Sequence, residues 1–336
     1  MNTDVLRTGP VVVLGAGGFI GARLVSELLT HGCPEIRAVD RTAGGRMSAW
    51  SADPRVRAHT VDLVDPRAAD RLAEVIAGAS CVVHLAASTA MDRGVLDGGA
   101  EIVEAARLDL AIADAVRNFS RSAVLVFASS SAVYGRLASE RACAEEDGPL
   151  RPISAYGAAK VAGESMLSSY HELFGLDVRV LRFGTVLGAG LDRGVVPALV
   201  RQVLDGAAEL SVLGDGTQQR SFVHVDDAVR AISTTARTPG PRFEVYNVAG
   251  EGSTSVAQVA ALVAEEAGGK PVRYGTRKQG WAGDIPVVRL DASRLRALGW
   301  HGGSSLDAVR RGVADLLRTG VELREDELNR RREVRT

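Results

Sequence analysis

Apolar residues along the first half of the chain fall into short continuous runs, separated by stretches of helical periodicity. Val11-Val12-Val13-Leu14 is apolar at every position and mostly β-branched, as expected of a parallel strand buried on both faces. Runs of this kind predict strands over 10–14, 36–40, 56–61, 81–86, 123–129 and 177–182. Between them, apolar positions spaced three and four apart predict helices near 20–31, 66–77, 100–118 and 155–173. This alternation implies an α/β fold, a doubly wound parallel sheet with helices on both faces. After about residue 183 the pattern loosens, with glycine turns at Gly188-Ala189-Gly190 and Gly214-Asp215-Gly216. No proline- or serine-rich linker and no internal repeat divides the chain.

The first turn carries chemistry. Gly15-Ala16-Gly17-Gly18-Phe19-Ile20-Gly21 follows the first strand at once, and helical periodicity resumes from Ala22 to Leu29. This strand–turn–helix order is the context a dinucleotide fingerprint requires. Gly15 permits the tight turn, Gly18 lets the backbone approach a pyrophosphate, and Gly21 lets the helix pack close to the strand. The phosphates then rest at the positive end of the helix. The second strand ends on Asp40, 19 residues past Gly21. A carboxylate there accepts hydrogen bonds from an adenosine ribose and repels a 2′-phosphate, which favours NAD. Arg41 next door can pair with such a phosphate, so NADP stays open. The expected organisation is a Rossmann domain over 1–183, a smaller and mainly substrate-binding C-terminal lobe over 184–320, and a charged tail over 321–336. The tail reads as solvated, frayed helix.

A second constellation is Tyr156-Gly157-Ala158-Ala159-Lys160, 26 residues after Ser130. Tyrosine and lysine four apart share one helix face. An ammonium favours the phenolate form of a neighbouring tyrosine, so such a pair can handle a proton. Composition narrows the function further. The chain has 336 residues, 46% hydrophobic and 24% charged, enough for a large core. Formal net charge is −1 and no basic block precedes the C-terminal tail, which argues against nucleic acid as a partner. Cys33, Cys81 and Cys143 lack metal or redox spacing, and the six histidines form no ligand cluster, so no metal is expected. Residues 1–10 contain no apolar signal core, and no run approaches ~18 apolar residues. The expectation is a cytoplasmic protein with no membrane partner.

Several ordered motifs then carry a resemblance. They are Asp62-Leu63, His84-Leu85-Ala86-Ala87, Ser129-Ser130-Ser131-Ala132-Val133-Tyr134-Gly135 and Pro152-Ile153-Ser154-Ala155-Tyr156. Gly214-Asp215-Gly216-Thr217-Gln218-Gln219-Arg220-Ser221-Phe222-Val223-His224-Val225-Asp226-Asp227, Tyr246-Asn247-Val248 and Leu298-Gly299-Trp300 follow. From about Val11 to Leu317 the chain resembles an extended short-chain dehydrogenase/reductase of the NAD-dependent epimerase/dehydratase branch, which acts mainly on nucleotide sugars. The resemblance implies that Tyr156 is the acid/base on a sugar hydroxyl and that Lys160 holds the nicotinamide ribose. Ser130 would hydrogen-bond the same oxygen, with Ser131 as the alternative. Gly15, Gly18, Phe19, Ile20, Gly21, Asp40, Arg41, Asp62, Leu63, Leu85, Ala86 and Ala87 would line the cofactor, together with Tyr156 and Lys160.

The reaction depends on the neighbours of that core. Dehydratases of the family place an Asp-Glu pair between the catalytic serine or threonine and the tyrosine equivalent to Tyr134. Here those positions are Ser131 and Ala132, which can protonate no leaving hydroxyl. The related uronate decarboxylases need a glutamate where Ala132 stands. A 4-epimerase, which oxidises C4 and returns the hydride to the other face, fits better. A 4-ketoreductase of deoxysugar nucleotides is the alternative, suggested by Leu14-Gly15-Ala16 and Arg193-Gly194-Val195-Val196. Thr185 stands where the family usually has a diphosphate-binding asparagine, and the 101–117 helix lacks its common asparagine. The substrate diphosphate would rest mainly on Arg220, the helix N-terminus at Val195, and Arg289. A non-catalytic NAD-binding regulator is disfavoured because serine, tyrosine and lysine are all present. A reductase of non-sugar carbonyls has little use for the Gly214–Asp227 loop. A homodimer through helices 100–118 and 155–173 is expected, as this family often forms.

Overall fold

A computed structural model describes residues 4–42, 45–50, 52–87, 98–239, 242–277 and 285–333. The apolar runs become β1 (Val11–Leu14), β2 (Ile36–Asp40), β3 (Val56–Thr60), β4 (Cys81–His84), β5 (Val124–Ser130) and β6 (Asp177–Phe183). Four short strands follow, β7 (Thr185–Leu187), β8 (Leu210–Gly214), β9 (Gln219–Arg220) and β10 (Phe222–His224). The chain then returns to the main sheet with β11 (Phe243–Val248). The seven strands of that sheet are all parallel, in the order β11-β6-β5-β4-β1-β2-β3. The expected doubly wound α/β fold is therefore what the chain forms, with a seventh strand supplied from beyond residue 183.

Alternate residues of the buried strands feed two separate layers, as a parallel strand covered on both faces requires. Val11, Val13, Val83 and Val126 join the layer under α1 (Phe19–Thr30). Val12, Leu14, Val82, Leu125 and Phe127 join the layer under α2 (Ala69–Ile76), α3 (Gly98–Phe119) and α4 (Ala155–Phe174). The predicted helix at 66–77 divides in two. Pro66–Ala68 forms a 3-10 turn capped by Asp65, whose side chain accepts from Arg67 N–H, and the α-helix begins only at Ala69. A proline in the first turn lacks one donor and suits such a tight start.

A third apolar cluster lies beneath the C-terminal region. It gathers Leu199, Val259, Val263, Val309 and Val313 from α5 (Val195–Leu204), α7 (Val256–Glu266) and α8 (Ser305–Glu333). Between α5 and α7, α6 (Val225–Ala236) packs back on the Rossmann layer, where Arg23 of α1 donates to Asp226 at 2.5 Å. Buried His224, just before α6, meets Asp315 of α8 at 3.1 Å and so pins that helix to β10. The backbone of the charged tail is helical through Glu333. No described helix is long and apolar enough to cross a membrane. Leu14 pairs with Val39 on one side and His84 on the other, so the sheet reverses its winding between β1 and β4. The crevice beyond those carboxyl ends is where such sheets take ligands.

Candidate active site

The cofactor end of the crevice is shaped by main-chain contacts. Gly15 adopts φ +87°, and a Cβ there would lie 2.8 Å from the Ala86 nitrogen. The turn is thus pressed against the Leu85-Ala86-Ala87 loop, whose Leu85 N–H also donates to the Leu14 carbonyl at 2.9 Å. A Cβ on Gly21 would lie 2.1 Å from the Gly15 carbonyl oxygen, so only glycine lets α1 come this close. Gly18 caps α1 without a side chain, and no acidic residue occupies the first turn. The helix N-terminus, with the N–H groups around Phe19 and Ile20, is therefore open to an anion. Gly17 N–H donates to Asp40 Oδ2 at 2.9 Å, which sets that carboxylate at the lip of the turn. Sequence reasoning gives Gly17 no role, because its partner lies 23 residues away.

Around this turn, Arg41 is exposed, Leu63 half-buried, and exposed Asp62 accepts from Val64 N–H at 3.1 Å. A glycine cradle that a Cβ would fill, an uncapped helix N-terminus and a carboxylate at the strand end together fit a dinucleotide. His84 is turned inward instead, its Nε2 2.9 Å from Asp109 Oδ1 on α3, with both residues buried. Sequence reasoning misses Asp109, since only the absent asparagine of that helix stands out.

Next to this cradle stand the candidate proton-handling residues. β5 ends at Ser130, whose Oγ accepts from Ala132 N–H at 3.2 Å and so caps the short turn Ser131–Tyr134. Among the described residues no acceptor takes its hydroxyl proton. Ser129, by contrast, is buried and donates to Glu164. Ser154 caps α4 by accepting from Gly157 N–H at 3.1 Å. A Cβ on Gly157 would lie 2.8 Å from the Ala132 carbonyl oxygen. The first turn of α4, which bears Tyr156, therefore rests on the Ser131–Tyr134 turn. Tyr156 is half-buried, and Lys160 keeps 7% exposure. Lys160 Nζ lies 5.9 Å from the Tyr156 ring centre and 4.8 Å from that of Phe127. Among the described residues no carboxylate pairs with this ammonium, which leaves it free for a ligand's hydroxyl groups.

Side chains dominate the other end. Thr185 opens β7, and its N–H donates to the Ser221 carbonyl at 3.0 Å. β9 pairs with a further short strand, Val287–Val288, so that Val288 faces Arg220, which places Arg289 one residue along from that pairing. Arg220 donates to the carbonyls of Gln219 at 2.8 Å and Pro286 at 3.2 Å. Arg289 donates to the Ser139 carbonyl at 2.9 Å, and its Nε has no partner among the described residues. Thr185 and Arg220 thus lie on short strands, and Arg289 directly follows the strand paired with Arg220. Val195 begins α5 after Gly194 (φ +102°), again with no side-chain cap and no acidic first turn. Ser221 is fully buried, donating to the Gly252 carbonyl at 2.9 Å and accepting from Leu290 N–H at 3.1 Å, so it fastens the strands. No cluster able to hold a metal exists among the described residues.

Comparison with known proteins agrees with this fold. A profile of the NAD dependent epimerase/dehydratase family matches residues 11–249. A dTDP-glucose 4,6-dehydratase of Streptomyces griseus is 33% identical over 88% of this chain and 94% of its own length. A UDP-glucose 4-epimerase of Mycolicibacterium smegmatis is 32% identical over 86% and 92%. The solved structure of MoeE5 with UDP-glucuronic acid and NAD superposes with a TM-score of 0.78 at 31% identity, covering 94% of this chain and 99% of that one. The profile spans more than two thirds of the sequence, and the relatives match nearly end to end. The chain belongs to the NAD-dependent epimerase/dehydratase family of enzymes.

Proposed function

We propose that the chain is an NAD-dependent nucleotide-sugar 4-epimerase. One observation carries the choice of reaction: Ser131 and Ala132 stand in the turn on which α4 rests, so no carboxyl lies between Ser130 and Tyr134. Tyr156 takes the proton from the C4 hydroxyl of the sugar, and Ser130 donates a hydrogen bond to the same oxygen. Lys160 holds the nicotinamide ribose. Bound NAD supplies the hydride acceptor and the returning hydride. Asp40 favours NAD over NADP by its place against the turn. Arg220, Arg289, Thr185 and the N-terminus of α5 hold the diphosphate, the arginines as charge-assisted donors.

A 4-ketoreductase is the second reading, favoured by Leu14-Gly15-Ala16 and Arg193-Gly194-Val195-Val196. Purification followed by identification of the copurified cofactor, then incubation with UDP-glucose, UDP-glucuronic acid and dTDP-glucose, separates the readings. Tightly held NAD and a 4-epimer formed without added cofactor support the epimerase. Turnover of a keto sugar nucleotide only with added NADH or NADPH supports the reductase. A 4-keto-6-deoxy product from dTDP-glucose sinks both. The chain is further proposed to dimerise through α3 and α4, since Val103 (49% exposed) and Leu110 (43% exposed) form an apolar stripe on α3. Sedimentation giving a monomer at micromolar concentration overturns this.

A further inference from the structure

Behind the candidate catalytic residues lies a buried polar network that the reaction itself does not use. Glu164 sits one helical turn beyond Lys160 on the same buried face of α4. Its carboxylate accepts from Ser129 Oγ and receives the Arg182 guanidinium as a fork, Nε at 3.0 and 3.2 Å and Nη2 at 2.6 Å. Ser129 and Arg182 are register partners on β5 and β6, so both strands hold the helix at one point. The remaining Arg182 nitrogen donates to Tyr134 Oη at 2.9 Å and to the Glu145 carbonyl at 3.0 Å. Tyr134 in turn donates to Asn247 Oδ1 at 2.9 Å, and Asn247 N–H donates to the Glu145 carboxyl at 2.7 Å. Asn247 Nδ2 donates to the Cys143 and Asp291 carbonyls, each at 2.9 Å.

Two physical points assign a purpose to this network. First, a buried ion pair is a poor device for stability, because well-packed apolar residues of the same volume do as well or better. Second, a fully satisfied polar network admits one arrangement, since any shift leaves a buried partner unmade. No side-chain atom of Ser129, Glu164, Arg182, Tyr134 or Asn247 is left buried and unpartnered. The pieces it joins are the residue before Ser130, the helix face bearing Lys160, the turn on which Tyr156 rests, and the sheet-edge strand β11.

We propose that Glu164 and Ser129 are positioning residues. They set the height and rotation of α4 against β5, and so place Lys160 over the nicotinamide ribose site. This rests on the reading of Lys160 given above, and the test separates the two. NAD and ADP are titrated into the purified apo-protein by calorimetry. ADP engages the glycine turn alone, whereas NAD also engages Lys160. Lys160→Ala is the control for the reading. It should weaken NAD about tenfold and leave ADP unchanged, tenfold being the scale of one charge-assisted hydrogen bond. Ser129→Ala and Glu164→Gln should show the same split, about threefold and about tenfold, with Ser129→Thr restoring wild-type NAD affinity because it keeps the hydroxyl. Equal loss of NAD and ADP, or wild-type affinity for both, in Ser129→Ala overturns the proposal while Lys160→Ala still splits them. No split in Lys160→Ala overturns the reading and the proposal together. If Glu164→Gln fails to fold, the Ser129→Ala and Ser129→Thr pair decides alone.

Discussion

At the cofactor end of the crevice the shaping contacts start from main-chain atoms: Gly15 against Ala86, Gly21 against the Gly15 carbonyl, and Gly17 N–H donating to the Asp40 carboxylate. At the proposed substrate end they run from long side chains, with Arg220 and Arg289 leaning on carbonyls of Gln219, Pro286 and Ser139. A backbone cradle leaves no room for variation, because a single methyl group has nowhere to go. A rim of guanidinium groups on short strands can be moved, lost or replaced without disturbing the sheet. Relatives at nearly equal identity bear names as different as dehydratase and epimerase. That fits the general rule that one architecture hosts different reactions through the side chains set on it.

The sharpest test lies where the two ends meet. Tyr156→Phe removes the proton acceptor but leaves the glycine cradle untouched. Turnover should fall about a thousandfold, the scale of general acid–base catalysis, while calorimetry shows unchanged NAD affinity. Wild-type-like turnover refutes the mechanism, and lost NAD binding refutes the separation of the two ends. Gly21→Ala probes the backbone end. With 2.1 Å to the Gly15 carbonyl, the added Cβ forces α1 away from β1. Overpacking of this kind should cost about 2–3 kcal/mol in urea denaturation and weaken NAD sharply. A stable variant with full NAD affinity contradicts the picture of a cradle without slack. Arg220→Ala probes the side-chain end. KM for the sugar nucleotide should rise about tenfold or more, with melting temperature and NAD affinity near wild type. A fall in kcat at constant KM instead assigns Arg220 to the reaction rather than to the diphosphate.

The same contrast governs what is legible in the sequence. Continuous apolar runs give away strands buried on both faces, and the spacing of Gly15, Gly18 and Gly21 gives away the cradle, because both are local patterns. Tyr156 and Lys160, four apart on one helix, can be picked out as a candidate pair for the same reason, whereas Ser130 is singled out through the family resemblance. The return of β11 to the sheet is not. It lies at the edge with Glu244 and Asn247 among its residues, so it carries no apolar run. Gly17 with Asp40, His84 with Asp109, and Glu164 with Arg182 join residues 18 to 25 positions apart through three dimensions. No periodicity marks such pairs; only the packed sheet does. The polar edge strand is also where the smallest predicted effect arises.

Glu145 receives Asn247 N–H from that strand. Burial pushes the Glu145 carboxyl above the ordinary glutamate range, and the Asn247 N–H bond opposes this only in part. An acid with a raised folded pKa binds more protons folded than unfolded. Its contribution to stability is fully present below the normal glutamate pKa and is lost as pH rises through the folded value. Glu145→Gln keeps an oxygen for Asn247 N–H and has no proton to lose. Any fixed cost of seating the amide is the same at every pH, so the readout is the change in the melting-temperature difference, not its absolute size. That difference should move in favour of the glutamine variant by a few degrees between about pH 4 and pH 7. A difference that stays flat shows that Glu145 ionises as freely in the fold as in water. In that case the junction between β11 and the catalytic turn is wetter than its hydrogen bonds suggest, and it belongs with the adjustable substrate end, not with the rigid cradle.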